Sequence, residues 1–262
     1  MTVKPALPSF LVAQGYGFEW REETGSTNAD ALAEASRGRS GPLWVVAGRQ
    51  NAGRGRQGRQ WLSPEGNLYA SLLLGDPCDI AIASQLGFVA GVAIHDAIGA
   101  TGLQVPRLAL KWPNDVLLDG AKIAGLLLEA QSGVAGKFNI VIGFGVNIRH
   151  APANPQYPAA PLSNENDVSV SDLFAALASS FHERFSRWRE KSGTPQERFA
   201  EIRQLWLERA AGIGSLASVR LPSGKLEGTF SGIDELGRLE LRTGRGIETI
   251  DAGDLFFSGL IR

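Results

Sequence analysis

One cysteine, one methionine and three histidines among 262 residues set the first limits on what this chain can do. With Cys78 alone, no intrachain disulfide can form, which fits a reducing compartment. The scattered His95, His150 and His182 beside one thiol give no spacing suited to a transition-metal site. No motif marks Cys78 as a nucleophile, no Gly-Lys-Ser/Thr phosphate loop occurs, and no local Ser-His-Asp motif is present. Long apolar runs are scarce too. The N-terminus reads Met1-Thr2-Val3-Lys4-Pro5-Ala6-Leu7-Pro8, without the apolar core of a signal peptide. The most apolar long stretch, 80–98, contains Gln85, His95 and Asp96 and reads as a buried helix rather than a membrane span. A net charge of −1 lacks the basic balance of a general nucleic-acid binder. What remains is a globular chain, 44% hydrophobic and 20% charged, of one large or one large and one small domain, expected in the cytoplasm.

Against that plain background one segment stands out. Gly53-Arg54-Gly55-Arg56-Gln57-Gly58-Arg59-Gln60-Trp61 sets three glycines and three arginines in seven residues and closes on a tryptophan. Glycine lets backbone approach a ligand or adopt positive φ, and the arginine fork matches phosphate oxygens. The pattern points to a loop that folds over a phosphate-bearing ligand, with Trp61 as an apolar seal.

The segments around this loop alternate between strand and helix. A strand is expected near 16–21, then a helix over 29–35 capped by Ser26 or Thr27. Leu43–Ala47 and Asn67–Leu74 read as strands on either side of the arginine loop, and 80–99 as a central helix. Leu108–Trp112 is strand-like up to Pro113, and Asp119-Gly120 between apolar runs predicts a hairpin of 116–118 with 122–129. A strand follows over 138–146, then a surface loop over 151–166 rich in proline and asparagine. Two helices are expected, over 171–191 and from Thr194-Pro195-Gln196-Glu197 to near Gly212, the second opened by a capping box. From 215 to 262 short strands alternate with turns at Pro222-Ser223-Gly224, Asp234–Gly237 and Thr243-Gly244, a small all-β unit expected to pack on the rest.

Three further motifs carry chemistry. Lys111-Trp112-Pro113-Asn114-Asp115 ends a buried strand on a lysine, which is costly without an anionic partner. In Lys122-Ile123-Ala124-Gly125 a strand glycine signals close approach of a ligand or backbone. Gly143-Phe144-Gly145-Val146-Asn147 lacks the third glycine and following helix of a dinucleotide fingerprint, so a Rossmann reading fails.

Taken in order, Ser26-Thr27-Asn28, Gln50, the 53–61 loop, Lys111–Asp115, Lys122–Gly125, Gly143–Asn147 and the tail segment Ser231–Gly237 resemble the biotin–protein ligase family. The resemblance implies an α+β fold: a mixed β-sheet catalytic domain flanked by helices, class II synthetase-like, over 1–212, and a small SH3-like β-barrel over 213–262. It implies that ATP activates biotin as biotinyl-5′-AMP, and that a lysine of a biotin carboxyl carrier protein or domain then takes the biotinyl group. By the same resemblance Lys111 and Arg56 are the catalytic residues. Ser26, Thr27, Asn28, Gln50, Gly53, Arg54, Gly55, Trp61 and Gly125 complete the biotin and adenylate site. Arg59, Lys122, Asn114 and Asn147 meet the ATP phosphates or nucleotide, and Mg²⁺ is held through substrate phosphates. Two departures matter. Gln57 stands where many members have a further arginine. Only 25 residues precede Ser26, too few for the N-terminal helix-turn-helix of some bacterial members, so no DNA-binding repressor role is expected. No membrane partner is expected, and a homodimer is left open. The rival readings are a lipoate–protein ligase, against which the Gly-Arg-Gly-Arg loop and β tail stand, and a non-enzymatic RNA-binding protein, against which the near-neutral charge stands.

Overall fold

The computed structural model describes residues 4–257 apart from 40, 104, 134–136, 154–156, 166 and 223. Seven strands, β1 (Gly17–Thr24), β2 (Leu43–Gln50), β3 (Leu68–Gly75), β4 (Leu108–Lys111), β5 (Asp115–Leu118), β6 (Ala121–Ser132) and β7 (Phe138–Val146), form one sheet in the order β1-β2-β3-β7-β6-β5-β4. β1 and β2 pair in parallel and every other neighbour antiparallel, so the sheet is mixed. The helices are α1 (Ser9–Ala13), α2 (Thr27–Ser36), α3 (Gln85–Gly99), α4 (Val170–Glu190) and α5 (Pro195–Glu208).

Both sheet faces are covered, which is why β2 reads as an unbroken apolar run rather than an alternating one. Leu43 and Val45 join Leu73 and Val141 under Ala31 and Ala35 of α2. Trp44 and Val46 point the other way, into the core shared with α3 and α4. The Asp119-Gly120 hairpin turn has φ of 48° and 81°, the positive pair such a two-residue connection needs.

Two helix boundaries differ from the sequence expectation. α3 begins at Gln85, because the Asp79 side chain accepts from Ala81 N and holds Ile80–Ile82 in a separate 3₁₀ turn. α5 has its Thr194/Glu197 capping box but stops at Glu208, short of Gly212. There Leu110 N donates to Arg209 O at 2.7 Å and Ala211 N to Leu110 O at 2.8 Å, drawing the chain onto the edge of β4.

The C-terminal part is a five-stranded antiparallel sheet of β8 (Leu216–Leu221), β9 (Gly224–Ile233), β10 (Leu239–Thr243), β11 (Gly246–Ile250) and β12 (Asp254–Phe257), ordered β11-β10-β9-β8-β12. Of the expected turn at 222–224, residue 223 lies outside the described residues, as do residues 258–262 of the expected tail. Phe230, Ile233, Leu239 and Leu241 belong to the same apolar cluster as α3. Trp112 Nε1 donates to Gly237 O at 3.2 Å, and Gly237 lies so close to the Phe88 ring that a Cβ would stand 2.5 Å from it. A sheet this small gains a core by sharing one. No described helix is long and apolar enough to cross a membrane.

Candidate active site

A cavity of about 530 Å³ opens on the α2 face of the large sheet and is walled on one side by β12. The space comes from alternation. On β7 the residues facing α2 are Val141, Gly143 and Gly145; the first packs under α2, Gly143 admits the Asn28 side chain, since a Cβ there would stand 2.3 Å from Asn28 Oδ1, and Gly145 puts no side chain of its own on the sheet beyond it. Gly125 of β6 pairs with Gly145 and extends that floor.

One end of the cleft is a buried polar chain at the start of α2. Ser26 occupies the cap position in extended conformation, but its side chain makes no capping bond. Gln50 substitutes: its Oε1 accepts from Thr27 N at 2.8 Å and Thr27 Oγ1 at 3.1 Å, and its Nε2 donates to Ser63 Oγ at 2.9 Å. The fully buried Ser71 hydroxyl bridges Thr27 Oγ1 at 2.7 Å and Asn28 Oδ1 at 2.5 Å. Asn28 Nδ2 donates to Glu129 Oε2 at 2.7 Å, and Glu129 pairs with Arg54 at 3.3 Å. Each group fixes the next, so the wall is rigid before any ligand arrives.

The arginine loop crosses the middle. Gly55 N donates to Arg59 O at 2.7 Å and Trp61 N to Gly53 O at 2.9 Å, making a small hairpin with Gln57 and Gly58 at φ 57° and 71°. Gly53 lies outside the main cleft and lines a neighbouring cavity instead. Its glycine is required because a Cβ would stand 2.5 Å from Trp61 O. The Trp61 indole lies on the glycine floor, where a Cβ at Gly145 would be 2.6 Å from Trp61 Cε2. The room that Gly125 and Gly145 create is thus filled by Trp61, whose Nε1 is buried without a hydrogen-bond partner. Arg56 reaches Asn114 Oδ1 at 3.4 Å and Gly253 O at 3.3 Å, while Arg59 pairs with Asp254 of β12. Burial lowers the Arg56 pKa, with Asp254 and Asp115 opposing.

The other end holds two lysines in unequal circumstances. Lys122 Nζ stands 2.5 Å from Asp115 Oδ1 and donates to Tyr157 Oη at 2.8 Å. Burial works against its charge, but Asp115 and Tyr157 outweigh burial and hold its pKa above the ordinary value. Lys111 has ring faces only: its Nζ lies 4.6 Å from the centroid of Tyr157 and 5.6 Å from that of Phe256. Burial, aided by Lys122, holds the Lys111 pKa below its ordinary value despite Asp115. Such a cation, half-desolvated and unpaired, is a site for an anion.

Of the residues anticipated from sequence, Ser26, Thr27, Asn28, Gln50, Arg54, Gly55, Arg56, Arg59, Trp61, Lys111, Asn114, Lys122, Gly125 and Asn147 all line this one cleft. Several face each other rather than open space. Asn114 Nδ2 donates to Leu126 O at 2.6 Å, and Asn147 Nδ2 to Lys122 O at 3.5 Å. Sequence reasoning missed Asp115 as a site residue, though a hairpin at Pro113 sets it opposite Lys111. It also missed Tyr157, Asp254 and Phe256, which arrive from a proline-rich loop and a distant strand and carry no local pattern. Among the described residues no three His, Cys, Asp or Glu side chains are grouped to hold a metal ion.

Residues 24–147 match the Biotin/lipoate A/B protein ligase family and residues 218–258 the Biotin protein ligase C terminal domain. The chain is 42% identical to the biotin–acetyl-CoA-carboxylase ligase of Paracoccus denitrificans over 243 residues, 90% of this chain and 98% of that protein. It is similar in structure to the biotin protein ligase from Aquifex aeolicus in complex with biotin and ATP, with TM-score 0.78, 28% identity, and 92% and 99% of the two chains covered. The biotin protein ligase from Leishmania major in complex with biotinyl-5-AMP gives TM-score 0.64 and 25% identity, over 90% and 99% of the chains.

Proposed function

From the premise that this chain belongs to the biotin protein ligase family, we infer how its cleft performs the two steps of that chemistry. The enzyme joins biotin to ATP as biotinyl-5′-AMP, then passes the biotinyl group to a lysine of a biotin carboxyl carrier protein or domain. In the first step a biotin carboxylate oxygen attacks the α-phosphorus and the bond to pyrophosphate breaks. Two anions must approach, so fixed positive charge has to lie between them. Lys111 takes that position, and its unpaired ammonium is the observation that carries the reading. Ser26, Thr27, Asn28 and Gln50 hold the biotin at the polar wall, whose internal bonds keep it in place. Arg54, Gly55 and Arg56 grip the adenylate. Arg59, Lys122, Asn114 and Asn147 serve the nucleotide side, and Trp61 leaves the glycine floor to cover the adenylate and keep water from the anhydride.

Mg²⁺ carried on the ATP phosphates would supply charge neutralisation for the leaving pyrophosphate, beside Arg59, Lys122, Asn114 and Asn147 on the nucleotide side. In the second step the acceptor amine attacks the biotinyl carbonyl, AMP departs, and an amide remains. The reaction is placed in the cytoplasm, where ATP and carrier domains meet, and the boundary between the catalytic and C-terminal parts at residues 212 and 213. Pyrophosphate release in the presence of MgATP tests the reading. It should depend on biotin and be negligible with lipoate; release driven by lipoate alone would make the chain a lipoate ligase instead.

A further inference from the structure

Just past the end of β7, three consecutive main-chain N–H groups converge on one atom. Ile148, Arg149 and His150 donate to Asn67 Oδ1 at 2.9, 2.8 and 3.0 Å, and Asn67 Nδ2 donates to His150 O at 2.9 Å. Successive N–H groups arranged in this way form a concave nest. Here a neutral carboxamide fills it, from a side chain only 2% exposed. Without Asn67 the N–H of the fully buried Ile148 and those of its two neighbours would lose their partner.

Asn67 stands one residue before β3 and closes the turn that leaves the arginine loop. That turn is fixed on its own account: Gln50 N donates to Ser63 O at 3.1 Å and Tyr69 Oη to Pro64 O at 2.8 Å. Gly66 takes a φ of 100° where a Cβ would stand 3.0 Å from Arg149 Cγ. Residues 60–64 and 150–153 then face each other across a second cavity of about 460 Å³. On the other side of the nest, Asn147 O accepts from Leu162 N at 2.9 Å and Ile148 O from Ser163 N at 2.8 Å. The returning chain thus grips the carbonyls, and Asn67 grips the N–H groups. Asn147, immediately before the nest, and Pro152, two residues after it, both line the main cleft.

We propose that Asn67 is a positioning residue for the nucleotide: it locks 148–150 to the turn that follows the arginine loop and so sets Asn147 and Pro152 at the nucleotide end of the cleft. None of its four bonds to 148–150 touches Gln50, Thr27, Ser71 or Asn28, so the polar wall at the α2 end stands without it.

This role rests on the ligase reading, and the experiment separates the two. Steady-state pyrophosphate release by the full chain gives KM for MgATP and for biotin. Asn67→Leu, which keeps the bulk and removes both polar atoms, should raise the KM for MgATP about tenfold, the scale of a misplaced binding group. The KM for biotin should stay within about twofold of wild type. Asn67→Asp keeps an acceptor for all three N–H groups, a set that holds a carboxylate well, and should bring the MgATP KM to within about threefold of wild type. A loss shared equally by both substrates, no loss in a folded Asn67→Leu chain, or no recovery with aspartate would overturn the proposal. Amide hydrogen exchange on wild type decides even where Asn67→Leu does not fold: Ile148, Arg149 and His150 should be protected like the amides of β7, and rapid exchange at all three would overturn it too. Wild-type enzyme that releases no pyrophosphate with biotin and MgATP would instead remove the ligase reading, whatever the amides show.

Discussion

The two ends of the cleft are built on opposite principles. At the α2 end, Gln50, Thr27, Ser71, Asn28 and Glu129 spend their donors and acceptors on each other at 2.5–3.1 Å. At the β4 end, Lys111 is held by ring faces and Trp61 covers ground that a ligand would need. The contrast fits the proposed division of the cleft, in which the α2 end takes a neutral polar head and the β4 end a pair of anions. A neutral polar head is recognised by donors and acceptors fixed in advance, so order there costs the ligand nothing at binding. A pair of anions is brought together by charge that is not already neutralised, and keeping such charge unpaired in a buried site costs the protein stability.

The comparison is sharpened most by Lys111→Met, which keeps an unbranched side chain one atom shorter and removes the charge. Biotin-dependent pyrophosphate release should fall by roughly a hundredfold or more, about 3 kcal/mol in the barrier. The fold should be unharmed or slightly stabilised on thermal melting, since the folded protein holds this ammonium at a lowered pKa. A variant within tenfold of wild type would place the wrong lysine at the centre.

Lys122→Met should do the reverse to stability. Removing one partner from the Lys122–Asp115 pair leaves a buried carboxylate, a loss of about 3 kcal/mol in denaturant unfolding. The pH dependence has a definite sign. Because the folded pKa of Lys122 lies above its unfolded value, its contribution is complete below the ordinary lysine pKa and is lost as pH rises through the raised value. Lys111 acts oppositely: its lowered folded pKa penalises folding below that value, and the penalty fades as pH rises through the depressed value toward the unfolded one. Alkaline melts of wild type should therefore show a downward limb that Lys122→Met loses, and retention of that limb in the variant would count against the assignment.

At the rigid end, Ser71→Ala removes the bridge between Thr27 and Asn28. About 1–2 kcal/mol of stability and a comparable loss in biotin affinity are expected, with less change in nucleotide binding. A larger effect on nucleotide than on biotin would contradict the division of the cleft. The smallest effect concerns the loop: proteolysis within 53–61 should slow when biotin and MgATP are added together, and equal cleavage in both states would deny Trp61 its covering role.

Much of this was legible in the sequence because it is local. Strand periodicity, the Asp119-Gly120 turn, the Thr194–Glu197 capping box and the arginine–glycine loop each announce themselves within a few residues. The same is true of Lys111, whose cost at a buried strand end is plain from its neighbours. What could not be read was competition between distant segments. Gln50 takes the capping task from Ser26 across the sheet, and β4 draws the chain out of α5 before Gly212. Asp254 and Phe256 enter the cleft from the last described strand, and Tyr157 from a loop whose composition suggests only turns. Gly125 reads from the sequence as a point of close approach by ligand or backbone, but the indole that lies over it and over Gly145 arises from tertiary packing alone.

The central claim is that this cleft activates biotin and delivers it to a carrier domain. Intact-mass spectrometry of a biotin carboxyl carrier domain incubated with the enzyme, biotin and MgATP tests it most directly. A single biotinyl addition on one lysine is expected, dependent on ATP and absent with Lys111→Met. A carrier domain left unmodified by folded wild-type enzyme, or modified equally well by the Lys111→Met variant, would contradict it.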